Sequence, residues 1–216
     1  MTVPSTLPFP RANLSEATLY SWASAVTGSD IIVAAGDYTG GTPEDKFTLS
    51  THGLVTGDVL TLVSQSVIGT VLGGVGTRAF VKKTDADVFQ LCSNREATTV
   101  IENTADGTAV FLKSKAPTHV INQILNLLVV ADGVYTGGSA EDIFNPRPET
   151  GYHGLYETNT LKLLYKAAAG VLTGISANTT VYAKTVTLAK FECAATSGGA
   201  DIENTADGLA VFLKTA

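Results

Sequence analysis

The stretch Ile101–Lys113, IENTADGTAVFLK, returns at Ile202–Lys214 as IENTADGLAVFLK, with Thr108 against Leu209 as the one difference. The two copies stand 101 residues apart. Composition alone does not generate a repeat of this length and fidelity, so the chain is an internal duplication. In the first copy Glu102, Asn103, Asp106 and Gly107 supply a turn, and Ala109 to Leu112 form an apolar run of strand length. Asn204, Asp207 and Gly208 repeat the turn, and Phe111 and Phe212 hold the same place in the two strands, as core anchors.

Outward from this segment the repeat continues with lower identity. Tyr38-Thr39-Gly40-Gly41 returns as Tyr135-Thr136-Gly137-Gly138, Glu44-Asp45 and Phe47 as Glu141-Asp142 and Phe144, and His52-Gly53-Leu54 as His153-Gly154-Leu155. Phe80-Val81-Lys82 is echoed by Tyr182-Ala183-Lys184, and Phe89 by Phe191, both phenylalanines expected in the core. The spacing slips by one residue near that last pair, so a loop changes length between there and the closing segment. Cys92 and Cys193 fall at nearly the same place and are expected to be two copies of one buried packing position, with no disulfide between them. The second copy departs where the first has Thr56-Gly57-Asp58, with Glu157-Thr158-Asn159 in its place, and Asn145–Pro148 reads as an insert.

Short apolar segments divided by Gly/Asp turns every 8 to 12 residues or so predict small antiparallel barrels or sandwiches. The expected strands are Ile31–Val33 onward, Phe47–Ser50, Val59–Val63, Ala79–Lys82, Asp87–Leu91 and Ala109–Leu112, with Gly69–Gly76 as a loose hairpin. Helical spacing of Leu14, Thr18, Trp22 and Val26 predicts a short helix, capped by Asn13 or Ser15 and anchored by Trp22. Val120–Val130, VINQILNLLVV, has the same spacing and reads as its counterpart. Pro4, Pro8 and Pro10 make residues 1–12 an extended arm. The fold class is therefore mainly β: two tandem barrel or sandwich modules at 13–114 and 115–216, each led by a short helix, behind the N-terminal arm.

Composition narrows the function. The chain is 44% hydrophobic and 16% charged, against about 25% charged in ordinary globular chains. A surface this poor in charge suits a protein covered by neighbours in an assembly, and a homo-oligomer is expected. The net charge is −6, and the 14 basic residues are scattered, which argues against nucleic-acid binding by phosphate neutralisation. The N-terminus lacks the pattern of a signal peptide, and no apolar run approaches the roughly 20 residues of a membrane helix, so a soluble protein made inside a cell is expected.

No catalytic constellation stands out. His52 and His153 each precede a glycine in a turn and are expected to close that turn by hydrogen bonds, without an accompanying nucleophile elbow. The turn carboxylates Glu102, Asp106, Glu203 and Asp207 lack the spacing of a calcium loop. His119, alone in the junction, reads as a solvated side chain. No metal or cofactor is expected, and the chain is expected not to be an enzyme. The one place to look for specific recognition is Tyr152 and Tyr156, which flank His153 where the copies differ.

The run FTLSTHGLVTGDVLTL, Phe47–Leu62, with AFVKKTDADVFQLC, Ala79–Cys92, and the closing IENTADGTAVFL resembles a module used repeatedly in virion proteins of tailed bacteriophages. The resemblance rests on His52-Gly53-Leu54, Thr56-Gly57-Asp58 and the strands that follow; the second copy matches it through His153-Gly154-Leu155, Tyr182–Cys193 and Ile202–Leu213, without the TGD. It implies a small β-barrel with an architectural role in heads, tails, baseplates or fibres. A two-module chain with a short arm and no shaft then suits a decoration or cement protein on the capsid surface. Its partner would be the major capsid protein, held by apolar contacts and strand addition, and a trimer would suit the role. The alternative is a tail, neck or fibre-associated protein with a receptor- or glycan-binding tip.

Overall fold

The computed structural model describes residues 23, 25–38, 45–67, 70–71, 73–135, 142–147 and 154–215. The first module contains β1 (Ile31–Asp37), β2 (Lys46–Thr48), β3 (Val59–Gln65), β4 (Arg78–Lys83), β5 (Val88–Cys92) and β6 (Gly107–Lys113). They close into an antiparallel barrel in the order β1-β2-β5-β4-β3-β6. A junction helix, α1 (Thr118–Leu125), leads to β7 (Leu128–Val134), β8 (Ile143–Pro146), β9 (Thr160–Lys166), β10 (Thr180–Lys184), β11 (Glu192–Ala194) and β12 (Gly208–Lys214). These form a curled sheet in the order β11-β10-β9-β12-β7-β8, the same circular order as the first barrel. Between β8 and β11 the ladder narrows, among the described residues, to one bridge, Phe144 with Phe191, whose N–H groups donate to each other's carbonyls at 2.7 and 3.1 Å. The protein is thus mainly β, with two tandem β modules.

Alternation along each strand sorts residues between two cores. On β6, Ala109 and Phe111 point into the first barrel, while Val110 and Leu112 point out of it. Inside, Phe47 stacks on Phe89 at 5.5 Å between centroids and meets the edge of Phe111 at 5.4 Å. The second barrel repeats the trio, with Phe144 to Phe191 at 5.5 Å and Phe144 to Phe212 at 5.3 Å. Glycine makes room for each: a Cβ on Gly36 would lie 2.9 Å from the Phe47 ring, and one on Gly133 would lie 2.9 Å from the Phe144 ring.

The outward apolar side chains of β6 do not meet water. Ile31, Val63, Val110 and Leu112 of the first module join Leu128, Val130, Leu164, Leu209, Val211 and Leu213 of the second in one buried apolar cluster. Val120, Ile121 and Ile124 of α1 and the buried Ala23 and Val26 seal it. Each such side chain contributes about 1.5–3 kcal/mol when fully buried. The closing strands β6 and β12 are therefore buried on both faces, inward by their own barrel and outward by the other module. Leu209 lies in this cluster, while Thr108, at the matching place, stays half-buried at its edge.

Several expectations need correction. The helix expected over Val120–Val130 stops at Leu125, and Leu128–Val134 is β7, paired with β12 from Leu128↔Leu213 to Gly133↔Gly208. A strand buried on both faces shows no alternation, so its apolar run merges with the helical pattern before it. Asn145 and Pro146 are not an insert but the end of β8, opposite Asp132 and Ala131. Cys92 and Cys193 do not share a position. Cys92 stands opposite Phe80, as Ala194 stands opposite Tyr182, while Cys193 takes the place of Leu91. They are neighbours in register on opposite faces of the strand. Both are buried free thiols whose pKa is raised by burial. The described part of Gly69–Gly76 is a series of turns, with Gly73, Gly74 and Gly76 at positive φ, and not a hairpin. The arm, the helix through Trp22, and Tyr152 and His153 lie outside the described residues.

Candidate functional site

Alternating strand directions place the loops at two rims of each barrel. One rim carries the β1–β2, β3–β4 and β5–β6 loops; the other carries β2–β3, β4–β5 and the end of β6. The second module follows the same plan. The sequence-predicted residues divide accordingly. His52, Gly53, Thr56, Gly57 and Asp58 share the second rim, whereas Asn103, Asp106 and Gly107 lie at the first, and the structure does not bring the two sets together.

At the first rim each module builds the same corner. The Asp106 carboxylate accepts the Tyr38 N–H at 2.6 Å, and Asp207 accepts the Tyr135 N–H at 2.6 Å. The Asn103 N–H donates to Asp45 at 2.7 Å, and the Asn204 N–H to Asp142 at 2.6 Å. Asn103 and Asn204 are buried, and Asn204 Oδ1 accepts the Leu172 N–H at 2.8 Å. In the first module the matching loop amide, Val71 N–H, goes instead to Gln65 Oε1 at 2.8 Å. Asp106 and Asp207 thus bind their turns to the neighbouring loop, and they present Tyr38 and Tyr135 at 50% and 47% exposure.

At the second rim the modules diverge. Asp58 accepts the Val55 N–H at 3.1 Å and pairs with Lys113 Nζ at 2.8 Å. Burial raises its carboxyl pKa, but hydrogen bonds from Lys113 and Val55 and the charges of Lys113 and Lys115 outweigh this and hold it below the usual value. Asn159 keeps the turn, accepting the Tyr156 N–H at 2.8 Å, and Thr158 adopts the positive φ that Gly57 has in the first copy. Asn159 carries no charge to hold a lysine. Lys214, the counterpart of Lys113, donates to the Gly154 carbonyl at 2.7 Å and sits 5.7 Å from the centroid of the Tyr156 ring. Tyr156 is 74% exposed. On the same rim Leu188, 77% exposed, stands in the β10–β11 turn where the first module has Asp85-Ala86-Asp87.

His52 closes its turn: Nδ1 accepts the Leu54 N–H at 2.9 Å, and the ring meets the edge of Phe89 at 5.3 Å. Below this rim a cleft of about 360 Å³ lies between the first barrel, the residues before β1 and the link to α1, lined by Val26, Asp30, Asp58, Lys113 and Lys115 among others. Lys113 and Lys214 escaped the sequence reading although both copies end on them, because a lysine after an apolar strand reads as an ordinary strand terminus. Asp45 and Asp142 were visible as repeated residues without a role.

Among the described residues, no group of three His, Cys, Asp or Glu side chains is placed to hold a metal, and no helix is long and apolar enough to cross a membrane. No protein-family model, no curated protein and no solved structure matches the chain.

Proposed function

We propose that this chain is a non-enzymatic structural protein of a tailed-phage virion, a decoration or cement protein that bridges major capsid protein subunits on the head. The observation that carries this reading is the fusion of two like β modules through a buried apolar seam. The unit offers the same Tyr/Asp corner twice, at Tyr38–Asp106 and at Tyr135–Asp207, which suits attachment to a repeating surface. Two weak contacts held on one frame reinforce each other by effective concentration. The resemblance of Phe47–Leu112 to phage virion modules supplies the setting.

A second reading, a tail- or fibre-associated protein that binds a receptor or glycan, draws on Tyr156. An exposed ring backed by Lys214, in the copy that departs from the first, suits stacking against a ligand. Reconstruction of intact particles from the source virus separates the two. Regular density over the head lattice is the expected result. Density confined to the tail favours the second reading, and absence from particles overturns both.

A further inference from the structure

The seam between the modules is reciprocal. β3 of the first module lies against β7 of the second, while β9 of the second lies against the Gly28–Asp30 turn that leads into β1. Since β3 corresponds to β9 and β1 to β7, exchanging the modules carries the β3–β7 contact onto β9 and the start of β1, next to where β9 meets Gly28–Asp30. The side chains match as well. Ile31 opposite Leu112 in β6 corresponds to Leu128 opposite Leu213 in β12, and Val110 corresponds to Val211. Even the irregularities agree. A bulge sets Val63 in β3 toward the seam, and a bulge at the same place in β9 does so for Leu164. This is the contact pattern of a two-fold pair, in which one patch meets its own likeness.

The two halves of this pair are joined by Ser114–Pro117 alone. Ser114 N–H still donates to Val59 O at 3.2 Å, Ala116 N–H turns back to Ser114 Oγ at 3.1 Å, and Pro117 leads into α1. Opening this short link leaves each barrel intact and exposes the whole apolar seam. Nothing in the seam distinguishes the second barrel of the same chain from that of another copy.

We propose that this seam is also the dimerisation surface of the protein, and that two copies exchange modules, the first barrel of one chain packing on the second barrel of the other, with Ser114–Pro117 as the hinge. High local concentration favours the closed monomer when the protein is dilute, and rising protein concentration favours the exchanged pair. The inference holds wherever the protein acts, and does not depend on a virion role.

The experiment uses two full-length versions, one tagged at the N-terminus and one at the C-terminus, refolded together from denaturant over a range of concentrations, each with a protease site placed in the Ser114–Pro117 link. A dimer carrying both tags, growing with concentration, is expected. Cutting the link then halves the particle mass and leaves two monomer-sized pairs from each mixed dimer, one carrying both tags and one carrying neither. A mixed dimer that keeps its mass after the cut is held by another surface and overturns the proposal, as does the absence of mixed species at every concentration. Deleting Lys115 and Ala116 gives a second check: the folded product is expected as a dimer, and a folded monomer overturns the proposal.

Discussion

At the second rim a change from carboxylate to amide accompanies a change of partner for the closing lysine. Asp58 holds Lys113 in an ion pair at 2.8 Å, whereas Asn159 leaves Lys214 to the Gly154 carbonyl and the Tyr156 ring. Asp58→Asn keeps the acceptor for the Val55 amide and loses the pair, with an expected loss of about 1 kcal/mol near neutral pH. The sign of the pH effect follows from the depressed carboxyl pKa. The folded state binds its proton at lower pH than the unfolded chain, so the stabilisation is full above the unfolded value of about 3.9 and is lost as pH falls through the folded value. Denaturant titrations of both proteins at pH 7 and near pH 2.5 are expected to show the difference shrinking on acidification; a constant difference contradicts the role given to this pair. The reverse change, Asn159→Asp, is expected to draw Lys214 off Tyr156, read as a shift of the Tyr156 ring resonances. None of this was legible beforehand, because which lysine meets which turn depends on strand ends far apart in the chain.

At the level of the element, β6 and β12 explain why their sequence stands out. A strand with one wet face tolerates change at alternate positions, while a strand packed on both faces has no free position between its ends. Truncating an outward residue should therefore cost as much as truncating an inward one. Leu213→Ala is expected to lower the unfolding free energy by about 2–5 kcal/mol, as for Phe-facing core leucines, and Leu209→Thr by less, since the first module already carries Thr108 there. Chemical denaturation checks both; a Leu213→Ala loss under about 0.5 kcal/mol, the range of surface substitutions, contradicts a shared seam. The same burial decided what could be read from sequence. Strands with a polar face or a sharp turn, such as β4 and β5, were legible nearly to the residue. The boundary between α1 and β7 was not, because Leu127-Leu128-Val129-Val130 is apolar without a period. The register that separates Cys92 from Cys193 was hidden too, since one residue of loop length moves a side chain from one face to the other.

For the whole molecule, the shared cluster makes the two barrels one cooperative body. Separate cores would melt separately, whereas here unfolding either barrel exposes the seam of the other. A single calorimetric transition with matching van't Hoff and calorimetric enthalpies is expected, and two resolved transitions would contradict the coupling. The duplication, the barrel class and the inward phenylalanines were open to a reader of the sequence; the seam was not. Outward apolar residues on short strands look the same whether they meet a partner, a lattice or another part of their own chain.

One feature of the second barrel gives this cooperative body a place to begin opening. Among the described residues its wall is fastened along one line by a single clasp, Phe144 with Phe191, where the first barrel has three successive pairs from Lys46↔Gln90 to Thr48↔Val88. Releasing that clasp turns a tube into a ribbon without disturbing the seam on its far side. The amides of Phe144 and Phe191 are therefore expected to trade hydrogen for deuterium well before those of Val130 and Val211, and the molecule to unzip from its thinnest stitch toward its thickest.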